Sequence, residues 1–565
     1  MTVSSTTSNT SNTSTSSSNS SVTTSGTSTT SSIDWTGLIT AAVNAKLTQA
    51  TNISTKITAN QAKITAYQAL QTDLKTLSSG LASLATSVIN SVATNAFATR
   101  AATISATGDV SASSALSMTV NSGAATGDHA LTITQIATAQ KVAGSSQSSQ
   151  TAALGYSGTF TLGLAGGSTA SISVTSGMTM QDVADAINAQ TSTTNVGASI
   201  VQVSSGSYEM VLTGTQDAAN IVYSSTSGDD VLNKLGFTDS SGAFATVLQT
   251  AQAAKFTLDG ISLTRNTNDI SDVLSGVTFE LLQATPNGTT LNVSIGTDTS
   301  QITSALQTFV TNYNAFRDAV IAQQTTNSDG TASSTAVLFG DSTMRDVMDK
   351  IQSVLTQSVG GLTMADVGLS FNEKNELQLD TGTLATALST NLSGVTKLLS
   401  AQTTTSSSQL SVANTGTSPQ SFTLDLAVDS SGNLTSASVG GDSSLFSISG
   451  NTIIGNSGTA YAGMAFVYSG TTSQSITVTS TSGLATQLYQ ITKDASGNNG
   501  GLQTMIDSLT TQDTTMQTKV NDIDSAAATF KSQLEAQYAK YQAAIASADN
   551  TLTYLKALLN ASSKN

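Results

Sequence analysis

The chain contains no cysteine, one histidine, one tryptophan and two prolines, and only 10% of its residues are charged. The missing cysteines exclude disulfides, and a single His cannot build a zinc site. No cysteine suits a protein outside the cell and one in the cytosol alike. Twenty Lys and Arg against 35 Asp and Glu leave a formal charge of −15. A chain this acidic is a poor phosphate binder, so no nucleic-acid partner is expected. No apolar run reaches the roughly eighteen residues of a membrane span. No basic segment followed by an apolar core opens the chain, which argues against a cleaved secretory signal peptide. With 565 residues there is ample length for several domains.

What the chain does have is apolar periodicity at both ends. After Gly500 and Gly501, apolar residues recur at steps of four and three: Leu502, Ile506, Leu509, Met516, Val520, Ile523, Ala527, Phe530, Leu534. The seam resumes at Tyr538, Tyr541, Ile545, Ala548, Leu552, Leu555 and Leu559. Such spacing averages about 3.5 residues and asks for another helix to cover it. The step from Leu534 to Tyr538 is a stutter, which locally unwinds a supercoil. Asp513 stands where the seam wants an apolar residue, as a weak point or a register marker.

Residues 1–32 are nearly all Ser and Thr and read as a disordered lead. Asp34 can then cap a helix carrying Leu38, Ile39, Ala42 and Val43. The pattern continues through Ile53, Ile57, Ile64, Tyr67, Leu70, Leu74, Leu77, Leu81, Leu84 and Val88, with Gly80 the lone glycine of its later part. Two terminal helices with open seams are most economically covered by each other, and the middle becomes an insertion on a helical stem.

That middle reads mostly as strand: 115–121, 129–136, 160–164, 171–174, 196–203, 208–212, 277–282 and 291–295. A short helix is expected at 179–189, a hairpin at 256–264 turning on Asp259-Gly260, and a helical turn at 270–274. Pro286-Asn287-Gly288 reads as a turn. Helices return at 299–323, 342–359 and 381–399, with a hairpin at 371–379. Residues 401–481 are β-like again, with a turn at 429–432.

The chemistry-bearing candidates are few. Phe339-Gly340-Asp341-Ser342 resembles an esterase nucleophile motif, but a serine nucleophile needs a base beside it, and His129 is the only histidine. Asp341 and Ser342 are better read as the start of the following helix. No metal-ligand spacing and no phosphate-cradling loop is present, so neither a metal nor a cofactor is expected. Trp35 is either a partner anchor or ordinary packing.

Taken together, these pieces resemble the bacterial flagellar filament-capping proteins, the hook-associated protein 2 family. The resemblance covers most of 33–565. It rests on Ile33-Asp34-Trp35 with Leu38, on Ile64, Tyr67, Leu70, Leu74, Leu77 and Leu81, and on Phe256 to Ile261 with Arg265, Asn268, Asp269 and Val273-Leu274-Ser275-Gly276-Val277. It also rests on Leu338-Phe339-Gly340-Asp341-Ser342-Thr343-Met344, on Ala365-Asp366-Val367-Gly368-Leu369, on Leu377-Gln378-Leu379, on Gly483-Leu484-Ala485 and on the C-terminal heptads. The long Ser/Thr-rich lead and the insertion at 401–481 depart from the family pattern.

The resemblance implies an α+β multidomain fold: terminal coiled-coil helices forming a stem, with nested β-rich inserted domains. After the lead at 1–32 come a coiled-coil and leg helix at 33–100, a first β-rich domain at 101–142 and 251–297, and a second at 143–250. Leg helices with a hairpin follow at 298–400, then the insertion at 401–481 and the C-terminal leg and coiled coil at 482–565. It implies a non-enzymatic cap at the flagellar tip, exported through the flagellar channel without cleavage. Flagellin, a ring of identical copies and hook–filament junction proteins are the implied partners. An export chaperone is expected on Leu552, Leu555, Leu558 and Leu559, and further partner contacts at Ile33, Trp35 and Leu38. The alternatives are a surface adhesin or another flagellar axial protein, a flagellin or a junction protein.

Overall fold

The structure, a computed structural model, describes residues 34–87, 89, 90, 92–108, 110–416 and 421–562. The lead at 1–32, Ile33 and Val88 lie outside the described residues.

Helix α1 runs Trp35–Ala85. Asp34 starts it, its Oδ1 accepting the Gly37 N–H at 2.8 Å. Ser and Thr are indifferent helix formers, yet they are frequent here. Many return their hydroxyl hydrogen to the carbonyl four residues back, as Thr48 does to Asn44 and Thr55 to Thr51. Stability then comes from burying the apolar seam rather than from propensity. The helix ends at Ala85, whose carbonyl accepts the Thr486 hydroxyl at 2.6 Å.

A short helix α2 (Ala112–Ala115) precedes the first β-rich core. Its five-stranded antiparallel sheet runs in the order Arg100–Thr107, Thr290–Thr297, Gly127–Gln135, Ala254–Leu258, Ile261–Arg265. A three-stranded sheet of Asp269–Ile270, Val277–Leu281 and Leu116–Val120 shares a core with it around Leu131, Ile133, Phe256, Phe279 and Val293. The Asp259-Gly260 hairpin forms with both residues at positive φ, +51° and +81°, the type I′ turn that suits strand twist. The expected helical turn at 270–274 does not form. Ile270 is instead buried in a short strand opposite Phe279, and its backbone groups go to the sheet.

Within the chain of that core lies a second one. A four-stranded sheet (Thr246–Gln249, Lys141–Ala143, Ser207–Gly214, Val196–Ser204) and a three-stranded sheet (Thr169–Val174, Gly158–Leu164, Ile221–Gly228) enclose Phe160, Leu162, Ile187, Leu212 and Phe237. Helices α3 (Met180–Asn188), α4 (Thr191–Thr194) and α5 (Val231–Lys234) belong to it. Thr179 and Asp182 close a capping box on α3.

The helical part then continues with α6 (Thr299–Ala322), α7 (Ser342–Leu355) and α8 (Thr381–Leu399), the last kinked at Asn391. Helix α7 stops at Leu355, four residues short of the expected 359, and Val359 instead pairs with Leu362 across a turn in which Gly360 and Gly361 take positive φ. Residues 402–481 form two four-stranded antiparallel sheets around Leu424, Ile453, Phe466, Tyr468 and Val478. The strand Gln402–Thr405 pairs with Gln474–Thr481, so this insertion leaves and rejoins the helices at one point. Helices α9 (Leu484–Ser496) and α10 (Gly501–Ser562) close the chain. The fold class is α+β multidomain.

The chain divides into two compact units, one holding Thr65–Ile506 and the other the stretches up to Ile64 and from Asp507. In the larger unit Leu81, Leu84, Leu306, Phe309, Leu355, Leu399, Leu484 and Leu488 surround one apolar void, so five helices meet there. Gly80 permits the approach of α6: a Cβ at that position would lie 2.6 Å from Asn312 Nδ2.

Candidate association surface

The smaller unit is a pair of helical arms, Trp35–Ile64 of α1 and the part of α10 from Asp507 onward. Ala50, Ile57 and Val520 are its buried centre, with Ile53, Met516 and Ile523 packed against them. On one side of this centre the Asn60 amide donates to Asp513 Oδ1 at 2.9 Å. On the other, Lys46 Nζ lies 4.6 Å from the Phe530 ring centre, and the Trp35 and Tyr538 rings are 4.8 Å apart. Numbers fall along α1 as they rise along α10, so the arms are antiparallel. Asp513, the polar interruption of the seam, has its own partner on α1. A lone polar pair in an apolar seam fixes register at some cost in stability.

Trp35 is the last α1 residue stacked on α10 in this way. Past Tyr538, α10 continues to Ser562, about 35 Å at 1.5 Å per residue. Over that length the seam residues Tyr541, Ile545, Leu552, Leu555 and Leu559 are exposed, as is Leu558 beside them. Leu559 is 74% exposed, the extreme among them. The basic residues of this stretch, Lys540 and Lys556, are balanced in part by Asp549 alone, so charge gives little direction to a partner.

Of the residues singled out from sequence, Trp35 is half-buried against Tyr538, Leu38 is exposed, and Ile33 lies outside the described residues. Leu552, Leu555, Leu558 and Leu559 share one exposed end of α10. No helix among the described residues is long and apolar enough to cross a membrane.

The esterase-like motif has a structural role. Asp341 Oδ1 accepts the Met344 N–H at 2.9 Å and caps α7, while its Oδ2 accepts the Tyr67 hydroxyl of α1 at 2.5 Å. Burial, reinforced by this bond to the carboxylate, pushes the Tyr67 phenol well above its ordinary range. His129 is bonded through Nδ1 to Asp259 Oδ2 at 2.8 Å, and Asp259 Oδ1 accepts the Ala130 N–H at 2.9 Å. These bonds, the His129 one foremost, hold the Asp259 carboxyl below the usual range. Asp259 thereby ties its hairpin to the neighbouring strand.

Two tying residues escaped the sequence reading. Asn90 exchanges hydrogen bonds with Thr415, donating to Oγ1 at 2.8 Å and accepting the Thr415 N–H at 3.0 Å. It fastens the insertion to the loop after α1. Asn95, fully buried, donates to the Thr86 carbonyl at 2.7 Å and accepts the Phe97 N–H at 2.8 Å. Asn95 is buried and Asn90 exposed, and an Asn among small residues is no signal of either tie in the sequence.

Comparison with known proteins places this architecture. The family described as flagellar hook-associated protein 2, C-terminus, matches residues 251–550, and its N-terminus counterpart matches 31–140. A flagellin hook IN motif matches 159–216, within the second β-rich core. The A-type flagellar hook-associated protein 2 of Pseudomonas aeruginosa is 26% identical over 309 residues, covering 50% of this chain and 64% of that relative. The Escherichia coli K12 hook-associated protein 2 is 28% identical over 321 residues, covering 54% and 68%. The chain thus spans just under two thirds of the Pseudomonas relative's length. Among solved structures, the D1-D2-D3 domains of the flagellar cap protein FliD from Escherichia coli align over 79% of this chain and 99% of that one, with 20% identity and a TM-score of 0.47. With one family description covering more than half of its length, this chain belongs to the flagellar hook-associated protein 2 family.

Proposed function

We propose that this chain is a structural cap at the distal end of the bacterial flagellar filament, where it retains exported flagellin and promotes its folding and insertion. The observation that carries this reading is the outer part of α10, an apolar helical seam left exposed beyond Tyr538. An open heptad seam is completed by other helices, and membership of the hook-associated protein 2 family points to the helices of neighbouring filament subunits. Trp35 and Leu38 lie toward the same end of α1 and would take part.

In this reading several identical copies form a ring at the filament tip. The β-rich cores make its plate, and the helices of the larger unit make legs toward flagellin and the hook–filament junction proteins. Export through the flagellar channel would require the exposed leucines to be shielded beforehand, by a small chaperone on Leu552, Leu555, Leu558 and Leu559. A role without catalysis fits the use of Asp341 as a helix cap and of His129 as the partner of a turn aspartate.

Deleting the gene and scoring filaments and secreted flagellin tests the proposal. Short or missing filaments with flagellin lost to the medium support a cap. Filaments of normal length, with no flagellin lost, contradict it and turn attention to an adhesin at the cell surface.

A further inference from the structure

The sequence holds two Asn-Gly and two Asp-Gly pairs: Asn287-Gly288, Asn499-Gly500, Asp259-Gly260 and Asp329-Gly330. In such a pair the glycine nitrogen can attack the Cγ of the preceding side chain, because no Cβ screens it. The attack is intramolecular, so the fold sets its rate by freeing or restraining the two groups.

Three of the pairs are restrained. The Gly500 N–H donates to the Gly497 carbonyl at 2.9 Å, and Gly500 is buried. The Asp259 carboxylate is engaged by His129 and by the Ala130 N–H. Asp329 accepts from the Thr331 N–H and hydroxyl, while the Gly330 N–H donates to the Asn327 carbonyl at 3.0 Å. Asn287 differs in each respect. It is exposed, and among the described residues neither its side chain nor the Gly288 N–H makes a hydrogen bond. Gly288 sits at φ +85° with no atom within 4 Å of where a Cβ would be. The Thr289 N–H closes the turn on the Pro286 carbonyl at 3.0 Å, and positive φ at Gly288 but not at Asn287 makes it type II.

We propose that Asn287 is a site of spontaneous deamidation in the folded protein. The Gly288 nitrogen gives up its proton to solvent and bonds to Asn287 Cγ, and the side-chain nitrogen leaves as ammonia. Water then opens the resulting succinimide at either carbonyl, giving aspartate or isoaspartate. The balance is one water consumed and one ammonia released, with no redox change. Either product adds a negative charge to the turn. Isoaspartate also inserts a methylene into the backbone just ahead of the strand Thr290–Thr297, which pairs with strands on both sides.

The test is peptide mapping by mass spectrometry of the full chain, held folded in mildly alkaline buffer, with isoaspartate counted by a methyltransferase label. Asn287 is expected to convert first. Asn499 should lag at least about fivefold, because the Gly500 N–H must first leave its carbonyl. In urea the two rates should converge, and Asn287→Gln should remove the early signal while leaving that of Asn499. Equal rates in the folded chain, or an Asn287 that reacts only in urea, would overturn the proposal.

Discussion

The same four-three spacing runs through both units, with different results. In the larger unit Tyr67, Leu70, Leu74, Leu77, Leu81 and Leu84 of α1 are all buried, because α6, α7, α8 and α9 close around them. In the smaller unit, among the described residues, α1 and α10 have only each other, and Ile53, Met516 and Ile523 remain half-buried beside Ala50, Ile57 and Val520. Farther out, α10 has no α1 residue opposite it and its leucines are exposed. Heptad periodicity specifies which face of a helix is apolar. How many neighbours cover that face depends on the rest of the chain.

The largest test of this contrast is truncation of the two seams. Leu81→Ala should cost about 3–4 kcal/mol, and Ile57→Ala about 2, since the arm pair holds its seam from one side only. Chemical denaturation followed by circular dichroism would measure both, and equal costs would remove the distinction. Next come the polar ties, one in each unit. Tyr67→Phe and Asn60→Ala should each cost about 1 kcal/mol. The first should lower the transition of the larger unit, and the second should loosen only the arms, as seen in amide exchange of α1 before Ile64.

A smaller effect is expected at Asp259. Its folded carboxyl titrates below the unfolded value of about 3.9, so its contribution to stability is complete above that pH and is lost as pH falls through the lower folded value. Asp259→Asn keeps a residue that tolerates positive φ. It should flatten the acid limb of stability against pH by lowering stability slightly at neutral pH, where the carboxylate's contribution is complete, and the two chains should converge in acid. The least effect on stability is predicted for Leu555→Ala, within about 0.5 kcal/mol, because that side chain is exposed. A larger loss would mean that the outer arm is already covered.

Short-range signals were legible in the sequence. Asp-Gly between alternating residues specified the hairpin read at 256–264, apolar spacing the short helix from Thr179, and the heptads both long helices. What stayed hidden depends on residues far apart in the chain. Ile270 belongs to a strand only because Phe279 and its neighbours offer a ladder. Asp513 reads in the sequence as a weak point or a register marker, and its partner Asn60, at the other end of the chain, is not visible there. Asn90 gives no sign in sequence of holding Thr415. At the association surface the leucines of 552–559 were legible as an apolar seam. The point where α1 ceases to cover that seam was not legible, since it depends on Trp35 stacking on Tyr538.

The most direct test of the account is a chain ended after Tyr538, supplied to cells lacking the full gene. The account predicts that both units keep their melting behaviour in the purified protein, while filaments stay short and flagellin escapes to the medium. Normal filaments from this truncated chain would contradict the assignment of the outer α10 seam as the surface that engages the filament.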